Sequence, residues 1–178
     1  MKFNTLHNVV DRKFNVFLYK ERYTNKEVLK NLRKKVFDNL VEDNEGKTNV
    51  IGKMTSWRCF IEDEDFKIFF NSITRNIFNL TGMNTFRITN AWGNVLDKDG
   101  EFVRQHNHSG VTCASGVLHL TNNGPGLYFD DFDYTLQEEE GGFALFSPMV
   151  LHEVKKFKYT EPRVSIAFNI DHVYKGTK

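Results

Sequence analysis

The sequence is poor in cysteine, because only Cys59 and Cys113 occur among its 178 residues. Two thiols cannot form the disulfide framework that small secreted domains use, so we expect a cytoplasmic protein. The sequence has no run of about eighteen apolar residues, which a transmembrane helix requires. Its first residues also lack the apolar core of a signal peptide. These absences argue against a membrane partner.

The charge is also weak, with a formal net charge of +1 and with acids and bases interspersed along the chain. This balance argues against nucleic acid or an anionic membrane surface as a partner. What the sequence has instead is aromatic residues, 14% of the chain, including 17 phenylalanines. A chain of this length and composition predicts one folded domain, residues 1–178, with a sizeable apolar core. The sequence does not indicate an oligomeric state.

Residues 1–84 predict a support region of helices and strands. Thr24 to Glu27 has the form of a capping box, and apolar residues recur after it at helical spacing. A second apolar stripe follows the acidic run 62–65, which suits a helix N-terminus, and Gly82 is a plausible end. The stripe consists of Phe66, Phe69, Phe70, Ile73, Ile77 and Leu80. We expect both helices to pack against one face of a sheet.

From residue 85 to residue 171 the pattern changes to short strands that are separated by turns. Strands at this spacing are typical of a β-barrel or β-sandwich. The predicted fold is therefore mainly β with flanking helices, an α+β fold whose β core carries any site.

Three histidines predict a metal site within that core. His106 and His108 lie two residues apart on a predicted strand, so both rings point to the same face. His152 would join them from a later strand. Three neutral imidazoles with open coordination positions suit Fe(II), Zn or Ni. The alternatives are a chance surface pair for the first two and an ordinary core or surface histidine for the third. We expect the remaining His7 and His172 at the surface.

Arg163 begins a strand with clean alternation. Val164, Ile166, Phe168 and Ile170 form an apolar face, and Arg163, Ser165, Ala167 and Asn169 form the other. If the apolar face packs against the helices, the arginine faces a cavity, where it needs an anion. A guanidinium binds a carboxylate through two points, and the Ser165 hydroxyl can add a third. The alternative is a structural ion pair with one of the many acids.

His119 shares its alternation with Ser115, Val117 and Thr121. If this face points inward, His119 is a second donor to the same carboxylate or a neighbour of the metal site. A hydrogen-bonded core histidine is the alternative.

Several motifs occur in an order that resembles the 2-oxoglutarate/Fe(II)-dependent dioxygenases of the prolyl-hydroxylase-like branch. The likeness is to the small oxygenases of bacteria and phages and covers about residues 85–171. The motifs are His106-Asn107-His108, Ser115-Gly116-Val117-Leu118-His119-Leu120, Gly124-Pro125-Gly126-Leu127-Tyr128-Phe129, Gly141-Gly142-Phe143-Ala144-Leu145-Phe146-Ser147-Pro148, His152 and Arg163-Val164-Ser165.

The resemblance implies a double-stranded β-helix, or jelly roll. It implies an Fe(II)- and 2-oxoglutarate-dependent dioxygenase that hydroxylates an unidentified substrate, with O2 as co-substrate. His106 and His152 would be iron ligands, and Arg163 and Ser165 would bind the distal carboxylate of 2-oxoglutarate. His119 stands where this branch usually has a tyrosine that contacts the same carboxylate. No catalytic residue beyond the metal ligands is implied, and a phage-encoded protein would act in the host cytoplasm.

One residue departs from the family pattern, because the first motif is normally His-x-Asp or His-x-Glu and here its third residue is His108. We expect His108 as the third ligand on its spacing from His106, with Asp130 or Asp131 as the alternative. Two other functions stay open. One is a three-histidine cupin-type metalloenzyme that does not use 2-oxoglutarate, and the other is a non-catalytic jelly-roll binding or structural protein.

Overall fold

The structure is a computed structural model that describes residues 9–11, 14–41, 49–110 and 112–173; His7 lies outside them. The helices are α1 (Lys26–Asp38) and α2 (Glu64–Thr81), with a 3₁₀ helix at Asp130–Phe132. The strands are β1 (Val9–Asp11), β2 (Phe14–Val16), β3 (Leu18–Arg22), β4 (Leu40–Val41), β5 (Val50–Ile51), β6 (Lys53–Thr55), β7 (Phe86–Leu96), β8 (Phe102–His106), β9 (Ala114–His119), β10 (Leu127–Phe129), β11 (Tyr134–Leu136), β12 (Gly142–Phe146), β13 (His152–Val154) and β14 (Arg163–His172).

Both helices begin and end with the side chains and backbone that cap helices. The N-cap of α1 is Asn25, whose side chain accepts a hydrogen bond from the backbone N of Val28, so the predicted cap at Thr24 is displaced by one residue. Asp63 caps α2 in the same way, and Gly82 ends it in the left-handed conformation with φ of 70°. The predicted second helix and its end at Gly82 are confirmed.

The larger sheet has seven strands in the order β3-β12-β9-β14-β7-β6-β4, and all its pairings are antiparallel. β14 lies in its middle, between β9 and β7. Its apolar residues Val164, Ile166, Phe168 and Ile170 join the buried cluster that contains the apolar faces of both helices. The predicted alternation is therefore confirmed, and the helices cover one face of this sheet.

The smaller sheet has five strands in the order β11-β10-β13-β8-β5. A second apolar cluster, which includes Leu96, Val117, Phe129 and Val154, draws on both sheets and fills the space between them. The result is three layers, namely helices, large sheet and small sheet. Four strands that precede residue 85, β3 to β6, complete these sheets. The predicted boundary between a support region, 1–84, and a β core, 85–171, stays a prediction.

Phe168 is the centre of the contact between helices and sheet. It is fully buried, and its ring lies 5.6 to 6.1 Å from the rings of Phe66, Phe69 and Phe70 on α2. Its partner on β9 is Gly116, where an added Cβ would lie 2.2 Å from the Phe168 ring. Glycine is therefore required at this position so that the ring can lie flat over the neighbouring strand.

The two helices in the described part of the chain do not combine the length and apolar character that a membrane span requires.

Replacing Phe168 with alanine should lower the free energy of unfolding by about 3–5 kcal/mol, because it removes a buried ring and leaves a cavity. Urea unfolding followed by circular dichroism measures this change. Phe78→Ala is the matched control. Phe78 lies on α2, the helix that packs on Phe168, but its own side chain is 48% exposed. It should change stability by less than about 0.5 kcal/mol. Equal effects of the two substitutions would contradict this packing.

Candidate metal and anion site

Three histidine rings meet at one end of the smaller sheet. His106 ends β8 and His152 begins β13, and the two residues are direct partners in the antiparallel ladder. His108 lies two residues past the end of β8, and its backbone N donates to the carbonyl of Pro148 at 2.7 Å. One candidate ligand atom from each ring lies within 4.8 Å of the others. The predicted convergence is therefore present, although His108 reaches it from the segment after β8 and not from the strand.

Each ring has an oxygen acceptor at its Nδ1 atom. His106 Nδ1 lies 2.7 Å from the carbonyl of Arg104, and His152 Nδ1 lies 3.0 Å from the carbonyl of Val150. His108 Nδ1 lies 2.8 Å from the side-chain oxygen of Asn169. An oxygen acceptor requires a proton on Nδ1, so the neutral ring keeps its free lone pair on Nε2. This is the tautomer in which metal-binding histidines are held by their outer hydrogen bonds.

Burial keeps the rings neutral. Loss of hydration lowers the pKa of His108 to about 4 and the pKa of His152 to about 3, and it also lowers the pKa of His106. Metal binding requires deprotonated imidazole, so near neutral pH no proton competes for these nitrogens. The donor set therefore fits Fe(II), Zn or Ni by number, charge and tautomer.

The two aspartates considered as alternative ligands lie elsewhere. Asp130 and Asp131 are exposed, and Asp131 accepts a hydrogen bond from the backbone N of Leu151 at 2.7 Å. Among the residues that the structure describes, neither belongs to the group that could hold a metal. Through this hydrogen bond, Asp131 instead stabilises the segment immediately before His152.

A cavity of about 230 Å³ opens between the sheets beside the three rings. Two indoles, Trp57 and Trp92, line it with their ring centroids 4.7 Å apart, and Trp57 is 40% exposed. The other lining side chains are apolar residues, asparagines, Ser165 and Arg163. Within the described lining, Arg163 is the one residue with a fixed charge. Trp57 was missed in the sequence because a lone aromatic in a turn carries no periodic signal.

Arg163 lines the cavity although only 2% of its surface is exposed. Its Nη1 donates to Ser165 Oγ at 3.3 Å, and its Nε lies 3.0 Å from Glu138 Oε2. The structure thus combines the two predicted roles, since the arginine both faces the cavity and makes a buried ion pair. A carboxylate ligand would meet the part of the guanidinium that Glu138 leaves available.

His119 lies behind the arginine. It is fully buried, its Nδ1 lies 2.5 Å from Glu138 Oε2, and its ring is outside the cavity lining that the described residues form. It therefore contacts the partner of Arg163, and its predicted role in binding the carboxylate of the co-substrate stays a prediction. Glu138 was missed because it belongs to the acidic run 138–140, which reads as a solvated turn.

No protein-family model matches the chain, and no curated protein matches its sequence. Solved structures do match. The viral collagen prolyl hydroxylase of Paramecium Bursaria Chlorella virus-1, in its 2-oxoglutarate complex, is 16% identical with a TM-score of 0.68, over 93% of this chain and 99% of that chain. A prolyl-4-hydroxylase of Pseudomonas putida is also 16% identical, with a TM-score of 0.66, over 88% and 93% of the two chains.

A third similar structure is HygX of Streptomyces hygroscopicus, which was solved with nickel and 2-oxoglutarate bound. It is 10% identical with a TM-score of 0.66, over 88% of this chain and 83% of that chain. At these identities the likeness establishes the fold. The predicted double-stranded β-helix with helices on one face is therefore confirmed.

The metal-free protein should lose stability as the pH falls from about 6.5 to about 5. The folded pKa values of His108 and His152 lie below the ordinary value of 6.5, so the unfolded chain binds protons first. Their contribution is complete above pH 6.5 and declines toward the folded values. Each ring should lower the free energy of unfolding by up to about 1.4 kcal/mol per pH unit in this window.

Urea unfolding of chelator-treated protein at a series of pH values measures this slope. A double variant, His108→Asn with His152→Asn, removes both rings and should lose most of the slope. An unchanged slope in the double variant would show that other groups cause the pH dependence.

Asn169→Ala should weaken Ni(II) binding by about 10- to 100-fold, because it removes the acceptor that orients His108. Competition with a metal-binding dye measures the affinity. Asn169→Asp keeps an acceptor oxygen and should retain most of the affinity. Ser115→Ala is the control, since Ser115 donates to the same Asn169 oxygen at 2.9 Å without contacting the ring. Wild-type affinity in Asn169→Ala would contradict this role.

Proposed function

We propose that the protein is a non-haem oxygenase that binds Fe(II) and uses 2-oxoglutarate and O2 to hydroxylate a substrate. His106, His108 and His152 are the proposed ligands, and Arg163 and Ser165 are the proposed anchor for the distal carboxylate. One observation carries the proposal: three neutral imidazoles with free Nε2 atoms and one buried arginine open into the same cavity. A purely structural metal site has no need of the arginine.

The structural neighbours support this choice of cofactor and co-substrate. One was solved with 2-oxoglutarate, and another with nickel and 2-oxoglutarate. These ligands match the two halves of the site in this chain, a metal-binding group and a carboxylate-binding arginine. The proposal is therefore based on this chain's own side chains, with the neighbours as independent support.

The side chains of this protein would bind, orient and dehydrate the reactants. A metal held by the three histidines would supply the activation of O2 coupled to the oxidative decarboxylation of 2-oxoglutarate. Arg163 and Ser165 fix the co-substrate at its far end, which sets the position of its keto-acid end near the three rings. Trp92 is 5% exposed and lies 6.5 Å from His108, so its indole excludes water from that side.

The substrate should be uncharged where it enters the cavity. Once a carboxylate occupies Arg163, the described lining holds no further fixed charge to pair with one on the substrate. Trp57 and the asparagines near the opening provide a flat apolar surface and neutral hydrogen-bonding groups. One neighbour is a prolyl hydroxylase of Trichoplax adhaerens in complex with a peptide fragment. An uncharged peptide side chain or a small neutral molecule fits this lining.

A three-histidine metalloenzyme that does not use 2-oxoglutarate is the second candidate. The observation that favours it is the contact between Arg163 and Glu138, because the arginine already has an anionic partner within the protein. In that case the arginine would stabilise the sheet and the open positions of the metal would serve the substrate alone. Binding of 2-oxoglutarate separates the two candidates.

Wild-type protein loaded with Fe(II) without oxygen should develop a visible absorption band when 2-oxoglutarate is added, because the keto acid chelates the metal. On admission of oxygen it should form succinate slowly even without substrate. Arg163→Ala should lose both properties by removing the carboxylate anchor, yet bind Fe(II) with unchanged affinity.

Arg87→Ala is the matched control, because Arg87 is an exposed arginine on β7. It should behave as the wild type. Unchanged succinate formation in Arg163→Ala would contradict the assignment of the anchor. A wild-type protein that binds Fe(II) but gives neither band nor succinate would contradict the use of 2-oxoglutarate.

A further inference from the structure

A buried ionic group adjoins the cavity, and two of its three members have no part in the proposed function as stated so far. It consists of Glu138, Arg163 and His119, whose side chains are 1%, 2% and 0% exposed, and we name it the buried triad. Glu138 Oε2 lies 3.0 Å from Arg163 Nε and 2.5 Å from His119 Nδ1. One carboxylate oxygen therefore lies between a guanidinium and an imidazole.

The triad joins three separate parts of the fold. His119 ends β9 and is the ladder partner of Ser165 on β14, so it lies next to the strand that carries the arginine. Glu138 lies between β11 of the small sheet and β12 of the large sheet. The chain thus crosses from one sheet to the other at this point and delivers a carboxylate to the end of the cavity. A buried carboxylate requires such partners, because its desolvation is costly.

The contact at Nε determines which edge of the guanidinium remains for a ligand. Arginine has one N–H on Nε and two on each Nη. Glu138 Oε2 pairs with Nε at 3.0 Å as an ion pair without hydrogen-bond geometry, while Nη1 donates to Ser165, a residue of the cavity lining. The two Nη atoms are therefore the part of the guanidinium that Glu138 leaves for a ligand. That edge offers the parallel pair of N–H donors that a carboxylate binds through both oxygens.

The stem of the arginine is held as well. Gly124 has φ of +128°, and a Cβ added there would lie 2.9 Å from Arg163 Cδ. The backbone of this turn therefore packs directly on the side chain. Gly124 covers the stem, Glu138 pairs with Nε and Ser165 accepts a hydrogen bond from Nη1. The guanidinium is therefore ordered before any ligand binds. Such preorganisation reduces the entropy lost on binding.

We propose that Glu138 is a positioning residue for the co-substrate: through Nε it holds the terminal edge of Arg163 toward the cavity, and His119 holds Glu138 from behind. This inference rests on the proposed function, because it assigns Glu138 a role in binding 2-oxoglutarate. The carboxylate of Glu138 would thereby improve the binding of the carboxylate of 2-oxoglutarate. On this assignment, the position of Glu138 sets how far the guanidinium extends toward the three histidines.

The test uses the full-length protein loaded with Ni(II), which permits binding measurements without turnover. Calorimetry of Glu138→Gln should show a dissociation constant for 2-oxoglutarate raised about 10- to 100-fold, as expected when an orienting partner is lost. Its Ni(II) affinity should stay at the wild-type value. Glu139→Gln is the matched control, because Glu139 is the adjacent acid and its side chain is 56% exposed. It should bind both ligands as the wild type does.

Glu138→Asp provides a second measurement should the glutamine variant fail to fold. Aspartate keeps the charge but is one methylene shorter, so it draws the guanidinium away from the cavity. The variant should therefore gain relative affinity for 2-oxoadipate, which is one methylene longer than 2-oxoglutarate. A merely structural ion pair would weaken folding without altering this ratio. An unchanged ratio together with unchanged affinity for 2-oxoglutarate would overturn the proposal.

Hydrogen exchange of the Arg163 Nε–H separates a failure of the proposed function from a failure of this inference. The signal is observed by NMR and assigned with Arg163→Lys. Exchange should be slow in wild-type protein without ligands and faster in Glu138→Gln, whether or not 2-oxoglutarate binds. If the wild type binds no 2-oxoglutarate while this difference persists, the proposed function fails and Glu138 merely orders the arginine. If the wild type binds it and Glu138→Gln binds it equally well, the proposed function stands and this inference fails.

Discussion

The structure depends on the two faces of β14. Its apolar side chains are buried against the helices, and this burial determines the orientation of the strand. Since successive residues point to opposite faces, the same register places Arg163, Ser165 and Asn169 toward the space between the sheets. A slip of one residue would bury the arginine under α2 and expose Phe168 to the cavity. The packing of the helices therefore determines the position of Arg163 and of the acceptor for His108.

The metal site follows from the same register. Asn169 on β14 reaches across to His108, whereas backbone carbonyls hold the rings of His106 and His152. The position that normally has a carboxylate in the resembling family thus has a histidine with a dedicated side-chain acceptor. This arrangement explains how a third imidazole can occupy a partly desolvated place without losing a hydrogen bond. The site is consequently neutral in all three of its donors.

The sequence predicted those parts of the structure that arise from local pattern. The stripe of α2, its end at Gly82 and the alternation of β14 each depend on neighbours in the chain, so periodicity reveals them. The convergence of the three histidines was also predicted, although His108 lies past the end of β8 and not on the predicted strand. The partners Glu138 and Asn169 required the three-dimensional structure, because they meet Arg163 and His108 across 25 and 61 residues of chain. An acid in a run of acids gives no local sign that it is buried.

The buried triad has a consequence for the charge of the whole centre. In the family pattern the negative charge of the protein lies on the metal ligand, and here that ligand is neutral. Glu138 is a carboxylate outside the described cavity lining, where it pairs with Arg163. With a divalent metal and a dianionic keto acid bound, the formal charges of metal, Arg163, Glu138 and keto acid cancel. Under the proposed function, the chain would keep this charge balance with a carboxylate beside the arginine in place of one on the metal.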